Sequence, residues 1–376
     1  MYDNEMKNLL IQFRRDLHRI PELDRDLPKT TAYIKDYLAN LPCTLVDVED
    51  AGFVAFFQVV GATSTIAFRT DMDALPVTEY SNLPFSSEHP GQMHACGHDG
   101  HMSIMLGFAT EISERMHELK QNVLLIFQAA EEASGGAKVI AQSGVLEKVN
   151  VEKVFGIHLW PSFPRDTIIC REGDFMAATI VFSVDMKGKS AHVATYHKGI
   201  DALELGCDFV KRIYEMEKTE ISPDVHRLLR IGVFESGKAT NVVSDTAHLE
   251  GTLRCYSENV FNRMWGRIVE IAEDITSKRR CQFSFSKKVS YPAVINPKPL
   301  FKEARKTLMS AGYSFHDLEL PLLVSEDFSY YQQRVPGVFF HLGTGLDLPL
   351  HRGDYTIDED VLITGVGIYK TLLGLS

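Results

Sequence analysis

The chain lacks an excess of positive charge. Across 376 residues, 39 Lys and Arg stand against 50 Asp and Glu, a net charge of −11. Such a balance repels phosphate backbones and anionic lipid, so neither nucleic acid nor a membrane is an expected partner. It also lacks any run of ~18 apolar residues, so no membrane span is expected. Six cysteines, at 43, 96, 170, 207, 255 and 281, show no Cys-x-x-Cys spacing. The opening Met1-Tyr2-Asp3-Asn4-Glu5 lacks the basic and apolar regions of a signal peptide. Reduced thiols and a cytoplasmic location are therefore expected. Internal repeats and low-complexity segments are missing too.

What is present has the composition of a globular protein, 45% hydrophobic and 24% charged. The length exceeds what one core usually serves, so two domains are expected. Met6, Leu9, Leu10, Phe13 and Leu17 recur at helical spacing, and Pro21 closes that helix. A second helix is expected over 31–41. Short apolar runs at 66–68, 123–128 and 154–158 read as buried strands. Each ends in chemistry: Asp71 and Asp73, Glu131 and Glu132, and His158. Strands alternating with helices predict an α/β domain, with a mixed, mostly parallel sheet and helices on both faces. Ligands in such sheets gather beyond the strand ends.

Near residue 175 the pattern changes to β-α-β-β-α-β, which predicts a ferredoxin-like α+β module. It is expected to occupy 175–290 as an insertion between 1–174 and 291–376.

The chemistry concentrates in Met93-His94-Ala95-Cys96-Gly97-His98-Asp99-Gly100-His101. A thiolate and an imidazole this close suit a borderline-soft divalent ion, with Zn, Mn, Co and Ni as candidates. Two ligands do not complete a site. The pair Glu131-Glu132 can put one carboxylate on a metal and its neighbour on a water, or can merely cap the next helix. Taken alone, His158 and His351 read as core histidines, Asp71 and Asp73 as turn caps, and His192 as a solvated loop residue. One chemistry uses them together: metal-assisted amide hydrolysis, with a carboxylate outside the ligand set as general base.

The Cys96 stretch, Gln128-Ala129-Ala130-Glu131-Glu132, Gly188-Lys189-Ser190-Ala191-His192, Gly251-Thr252-Leu253-Arg254 and Ser325-Glu326-Asp327-Phe328 resemble a known family. It is the amidohydrolase branch of the aminoacylase/carboxypeptidase metallopeptidase superfamily. Hippurate hydrolase, plant auxin-conjugate hydrolases and bacterial N-acetyldiaminopimelate deacetylase belong to this branch. The resemblance spans nearly the whole chain in the expected order.

It implies five ligands for two divalent ions per subunit: Cys96, His98, Glu132, His158 and His351. It implies Glu131 as catalytic base and Asp71, with Asp73 as its rival, as the carboxylate that orients a ligand. Asn241 and Arg254 match positions that hold the substrate's carboxylate and oxyanion. The inserted module is implied to be a lid that forms a homodimer. From it His192 reaches an active site, in some members the partner's. The implied reaction cleaves the amide of an N-acyl amino acid, with N-acetyl-diaminopimelate among the candidates. A dipeptidase or carboxypeptidase would attack the same bond. A cysteine hydrolase built on Cys96 would leave Glu131, Glu132, His158 and His351 idle. A non-catalytic metal-binding protein would leave Glu131 without a use. Ala129, Tyr196 and Ser325 stand where the family usually has Pro, Pro and Gly. These departures touch the pocket rim and lid loop rather than a ligand or the base.

Overall fold

The structure, a computed structural model, describes residues 2–279 and 281–375. The chain divides into two compact units. The first comprises Met1–Phe175, Ile295–Leu320 and Asp327–Ser376, and the second Met176–Val294 with Pro321–Glu326.

The first unit is built on an eight-stranded sheet. Its order is Thr44–Asp47, Gly52–Phe57, Asn122–Gln128, Thr65–Asp71, Val151–Trp160, Gly337–Gly343, Thr167–Cys170 and Ser314–Asp317. The four central strands, from Asn122–Gln128 to Gly337–Gly343, are mutually parallel. Antiparallel pairs flank them on either side. Every residue of Thr65–Asp71, Asn122–Gln128 and Gly337–Gly343 is buried, so both faces there are covered. This matches the apolar runs inside them, 66–68, 123–127 and 338–340, which show no alternation.

Helix His98–Arg115 packs across the central strands, and Tyr2–Arg19 and Val361–Leu373 pack on it. This helix begins at His98, four residues before the apolar stripe that signals it. Gly97 makes the early start possible. It sits in the left-handed region at φ 88, and a Cβ there would meet the Tyr355 hydroxyl at 3.1 Å. Helix Pro28–Leu38 follows Leu27, which cannot cap it. The Glu22 carboxylate instead accepts the N–H groups of Lys29 and Thr30, at 3.1 and 2.9 Å.

The second unit holds the expected β-α-β-β-α-β order. Strands Ala178–Lys187, Arg227–Ser236, Thr246–Cys255 and Gln282–Tyr291 form an antiparallel sheet, in which the first and third strands are central. Burial alternates along Thr246–Cys255, so one face is covered. Leu249 and Leu253 join Phe182, Phe209, Ile213, Met264 and Ile268 in the core beneath helices Ala202–Thr219 and Glu258–Arg279. Segment 321–326 joins this unit through Val324, whose carbonyl accepts the Ala177 N–H at 2.8 Å. No described helix is long and apolar enough to cross a membrane.

Phe209 is fully buried, and Asp201 caps its helix by accepting the Leu203 N–H at 3.0 Å. Phe209→Ala should cost ~3–5 kcal/mol and Asp201→Ala only ~1, measured by urea unfolding. Equal costs would refute a single packed interior in this unit.

Candidate metal centre

The centre is assembled from loops that follow parallel strands. Asp71 ends the strand Thr65–Asp71, and Asp73 lies two residues on. The Asp73 carboxylate accepts the N–H groups of both Glu131 and Glu132 at 3.0 Å. This fixes the loop after Asn122–Gln128. Ala130, just before the pair, is held in the left-handed region at φ 61. A non-glycine residue there is strained, and such strain is characteristic of functional loops. His351 is also left-handed, at φ 65, and its N–H donates to the Ala95 carbonyl at 2.8 Å.

Several groups of donor atoms result, and two of them meet at Cys96. The donor atoms of Cys96, His98 and His158 lie within 4.8 Å of one another, and so do those of Cys96, Glu132 and His351. Cys96 belongs to both. The structure thus brings together the five residues that the resemblance implies as ligands. Glu131 stands in neither group, but its carboxylate lies within 4.8 Å of donor atoms of His98 and Glu132.

The histidines are oriented for this. His98 Nδ1 donates to the Asp73 carbonyl at 2.8 Å, which leaves its Nε2 as the inward atom. His158 Nδ1 donates to the Leu159 carbonyl at 2.7 Å, and its Nε2 faces Cys96 Sγ at 3.4 Å. Backbone acceptors on one nitrogen fix which nitrogen can ligate. His98 Nε2 is buried with no hydrogen-bond partner, and Glu132 Oε1 faces His351 Nε2 at 3.3 Å. A buried nitrogen orphaned in this way is costly unless something fills the space beside it.

The electrostatics ask for a cation. Burial opposes charge on His98, yet Asp71, Asp73 and Glu132 outweigh it and lift its pKa to about 10. Burial likewise opposes ionisation of Glu132, but the His351 hydrogen bond and the charge of His98 hold its carboxyl below the ordinary value. Burial holds His158 well below its ordinary value, so it is neutral and offers a lone pair. Burial and the charges of Glu132 and Glu131 push the Cys96 thiol far up. A nucleophilic cysteine needs the opposite shift. A thiolate here requires a cation at its side, and the donor set of thiolate, imidazole and carboxylate fits a divalent one.

The orienting role expected of Asp71 takes a different form. Asp71 Oδ2 is 3.8 Å from His98 Nε2, too far to bond it. Its carboxylate bonds His101 Nδ1 and Arg69 Nη1 instead, both at 2.7 Å. Asp73 orients His98, and does so with its carbonyl. In the second unit, the Val193 N–H donates to the Asn241 carbonyl at 3.1 Å, which pins the His192 loop beside Asn241. Both side chains are exposed. Arg254 donates from Nη1 to the Leu323 carbonyl at 2.7 Å.

Residues 67–374 match the model of peptidase family M20/M25/M40. The chain belongs to that family. It is 33% identical to the N-acetyldiaminopimelate deacetylase of Leuconostoc citreum over 368 residues, 96% of this chain and 95% of that one. It is 33% identical to the Listeria monocytogenes protein of the same name, over 95% and 96% of the two chains. Among solved structures, a putative aminohydrolase from methicillin-resistant Staphylococcus aureus superposes with a TM-score of 0.91. That chain is 27% identical, and the match covers 99% of this chain and 97% of that one. The YXEP protein of Bacillus subtilis, described as a dinuclear metal-binding peptidase of family M20, gives 0.84 at 31% identity and 98% coverage of both. The resemblance drawn from the motifs is met, and the chain is a metal-dependent amidohydrolase of this family.

Membership leaves some buried groups unexplained by motif. Asp99 Oδ2 accepts from Arg14 Nε at 3.2 Å and His18 Nδ1 at 2.8 Å. His18 Nε2 lies 3.3 Å from Glu79 Oε1. Reading the first helix for its apolar stripe passes over this pair. The available signal was Arg14 and His18 at i, i+4, directly beside Phe13 and Leu17.

Burial disfavours charge on His18, but Asp99 and Glu79 raise its pKa to about 9. A raised folded pKa gives stability that is complete below the unfolded value of ~6.5 and lost as pH climbs through 9. The protein should therefore lose ~3 kcal/mol over that window relative to His18→Gln. Denaturant titrations at pH 6 and 9.5 measure it. Parallel losses in both proteins would contradict the ion pairing.

Proposed function

We propose that this chain hydrolyses N-acyl amino acids at a dinuclear centre held by Cys96, His98, Glu132, His158 and His351. One observation carries the reading: two donor groups share the Cys96 sulfur, while Glu131 stands beside them in neither. Two divalent ions held there would supply Lewis acidity toward the amide carbonyl and the attacking water. Zn, Mn, Co and Ni all suit the donor set.

Glu131 takes the proton of the attacking water. It returns that proton to the leaving nitrogen as the C–N bond breaks, which releases a carboxylate and a free amino acid. Asp73 sets the direction of Glu131 through the backbone N–H that it accepts. Asn241 and Arg254 serve the oxyanion and the substrate carboxylate, and a guanidinium can grip the latter with two parallel bonds. His192 works beside Asn241. Residues 1–174 and 291–376 form the catalytic domain, and 175–290 an inserted lid that pairs in a homodimer. The protein acts in the cytoplasm. The names of its relatives make N-acetyl-diaminopimelate the first substrate to test. N-acetyl and N-benzoyl amino acids and dipeptides complete the panel.

Exhaustive chelation should abolish turnover, and added Mn or Zn should restore it. Activity that survives chelation would sink the metal reading and favour a thiol nucleophile. Glu131→Gln should keep its metal content while kcat falls ~10²–10⁴-fold. An active Glu131→Gln protein would remove Glu131 from its role. A panel without a single turned-over compound, on metal-loaded protein, would favour a binding function.

A further inference from the structure

His101 is buried in the first turn of helix His98–Arg115, and the reading above gives it no work. Both of its ring nitrogens are nevertheless engaged. Nδ1 donates to Asp71 Oδ1 at 2.7 Å. Nε2 accepts the backbone N–H of Leu159 at 2.8 Å. Only the neutral Nδ1–H tautomer can make both bonds. Its lone pair is spent on an amide, so His101 is not available as a ligand.

The residue that it grips adjoins a ligand. The Leu159 N–H belongs to the peptide that joins it to His158. The Leu159 carbonyl accepts His158 Nδ1 at 2.7 Å. The rings of His101 and His158 also meet edge to face, with centroids 4.5 Å apart. Gly100 allows the approach, since a Cβ there would lie 2.6 Å from Leu159 Cδ1. Asp71 is itself held by Arg69 Nη1 at 2.7 Å. A continuous chain thus runs Arg69, Asp71, His101, Leu159, His158.

We propose that His101 is a positioning residue for His158. Locked by Asp71, it fixes the backbone at Leu159 and the ring packed against it, so that His158 Nε2 faces Cys96 Sγ. This rests on the assignment of Cys96, His98 and His158 as ligands. It also accounts for the burial of Asp71 so near the ligands, since Asp71 acts on the centre through His101.

The test compares His101→Leu, which keeps bulk and loses both bonds, with His101→Gln. In His101→Gln the longer side chain can bring its amide oxygen to the Nε2 position and accept from Leu159. Chelator competition measures the affinity of each zinc or cobalt ion, and the absorption spectrum of the cobalt form reports ligand geometry. His101→Leu should bind one of two ions ~10–100-fold more weakly and shift the cobalt bands, and His101→Gln, which regains the Leu159 bond, should recover part of the affinity. Ile104→Ala, buried in the same helix, should lower Tm while leaving affinity unchanged. A folded His101→Leu protein that binds both ions like the parent would overturn the proposal.

If His101→Leu does not fold, neutron diffraction from the unsubstituted zinc-loaded protein decides. A proton on His101 Nδ1 supports the chain, and a proton on Nε2 breaks it. Metal binding that is unchanged in His158→Ala would instead overturn the ligand assignment itself. The two failures are therefore distinguishable.

Discussion

Parallel pairing of the central strands is the constraint on which this centre depends. Parallel strands all end at the same edge, so the loops after them meet there. Asp71 and Gln128 are register partners across one pair, and His158 and His341 across another. Asp73, Glu131 and Glu132 are therefore delivered to one place from segments far apart in the chain. The antiparallel strands at the flanks widen the sheet without adding to this edge.

Once gathered, the groups constrain one another electrostatically. Four carboxylates, of Asp71, Asp73, Glu131 and Glu132, share a space from which water is largely removed. Buried negative charge must be compensated by bonds or by positive charge. Arg69 and His101 compensate Asp71, and two backbone N–H groups compensate Asp73. Asp71, Asp73 and Glu132 also act on His98, whose raised pKa expresses the same demand for positive charge that a metal would meet. On the proposed reading, His98 and Cys96 would hold the ions as neutral imidazole and thiolate. The left-handed Ala130 and His351 are then backbone strain held in place by the bonds around them.

Much of this was legible beforehand, for definite reasons. Strands buried on both faces carry unbroken apolar runs, so the segments ending at Asp71, Gln128 and His158 stood out. The inserted module stood out through its β-α-β-β-α-β order. Short edge strands did not. Thr44–Asp47 and Ser314–Asp317 are mostly exposed and carry no apolar pattern. They become strands because a neighbour offers them hydrogen bonds. The start of helix His98–Arg115 was hidden too, because its first turn is polar and opens at a left-handed glycine rather than at a capping side chain.

Residue pattern alone was enough for the inventory: a thiol, imidazoles and paired carboxylates, several of them at the ends of buried strands. Local chemistry suffices for that, since apolar periodicity and motif spacing are properties of neighbouring residues. The division of labour among those groups was decided only by the tertiary structure. Which nitrogen of His98 faces inward depends on the carbonyl of Asp73, 25 residues away. Whether Asp71 touches a ligand or His101 turns on a difference between 3.8 and 2.7 Å. Hydrogen bonds are made or lost over such distances, and only the packed fold sets them.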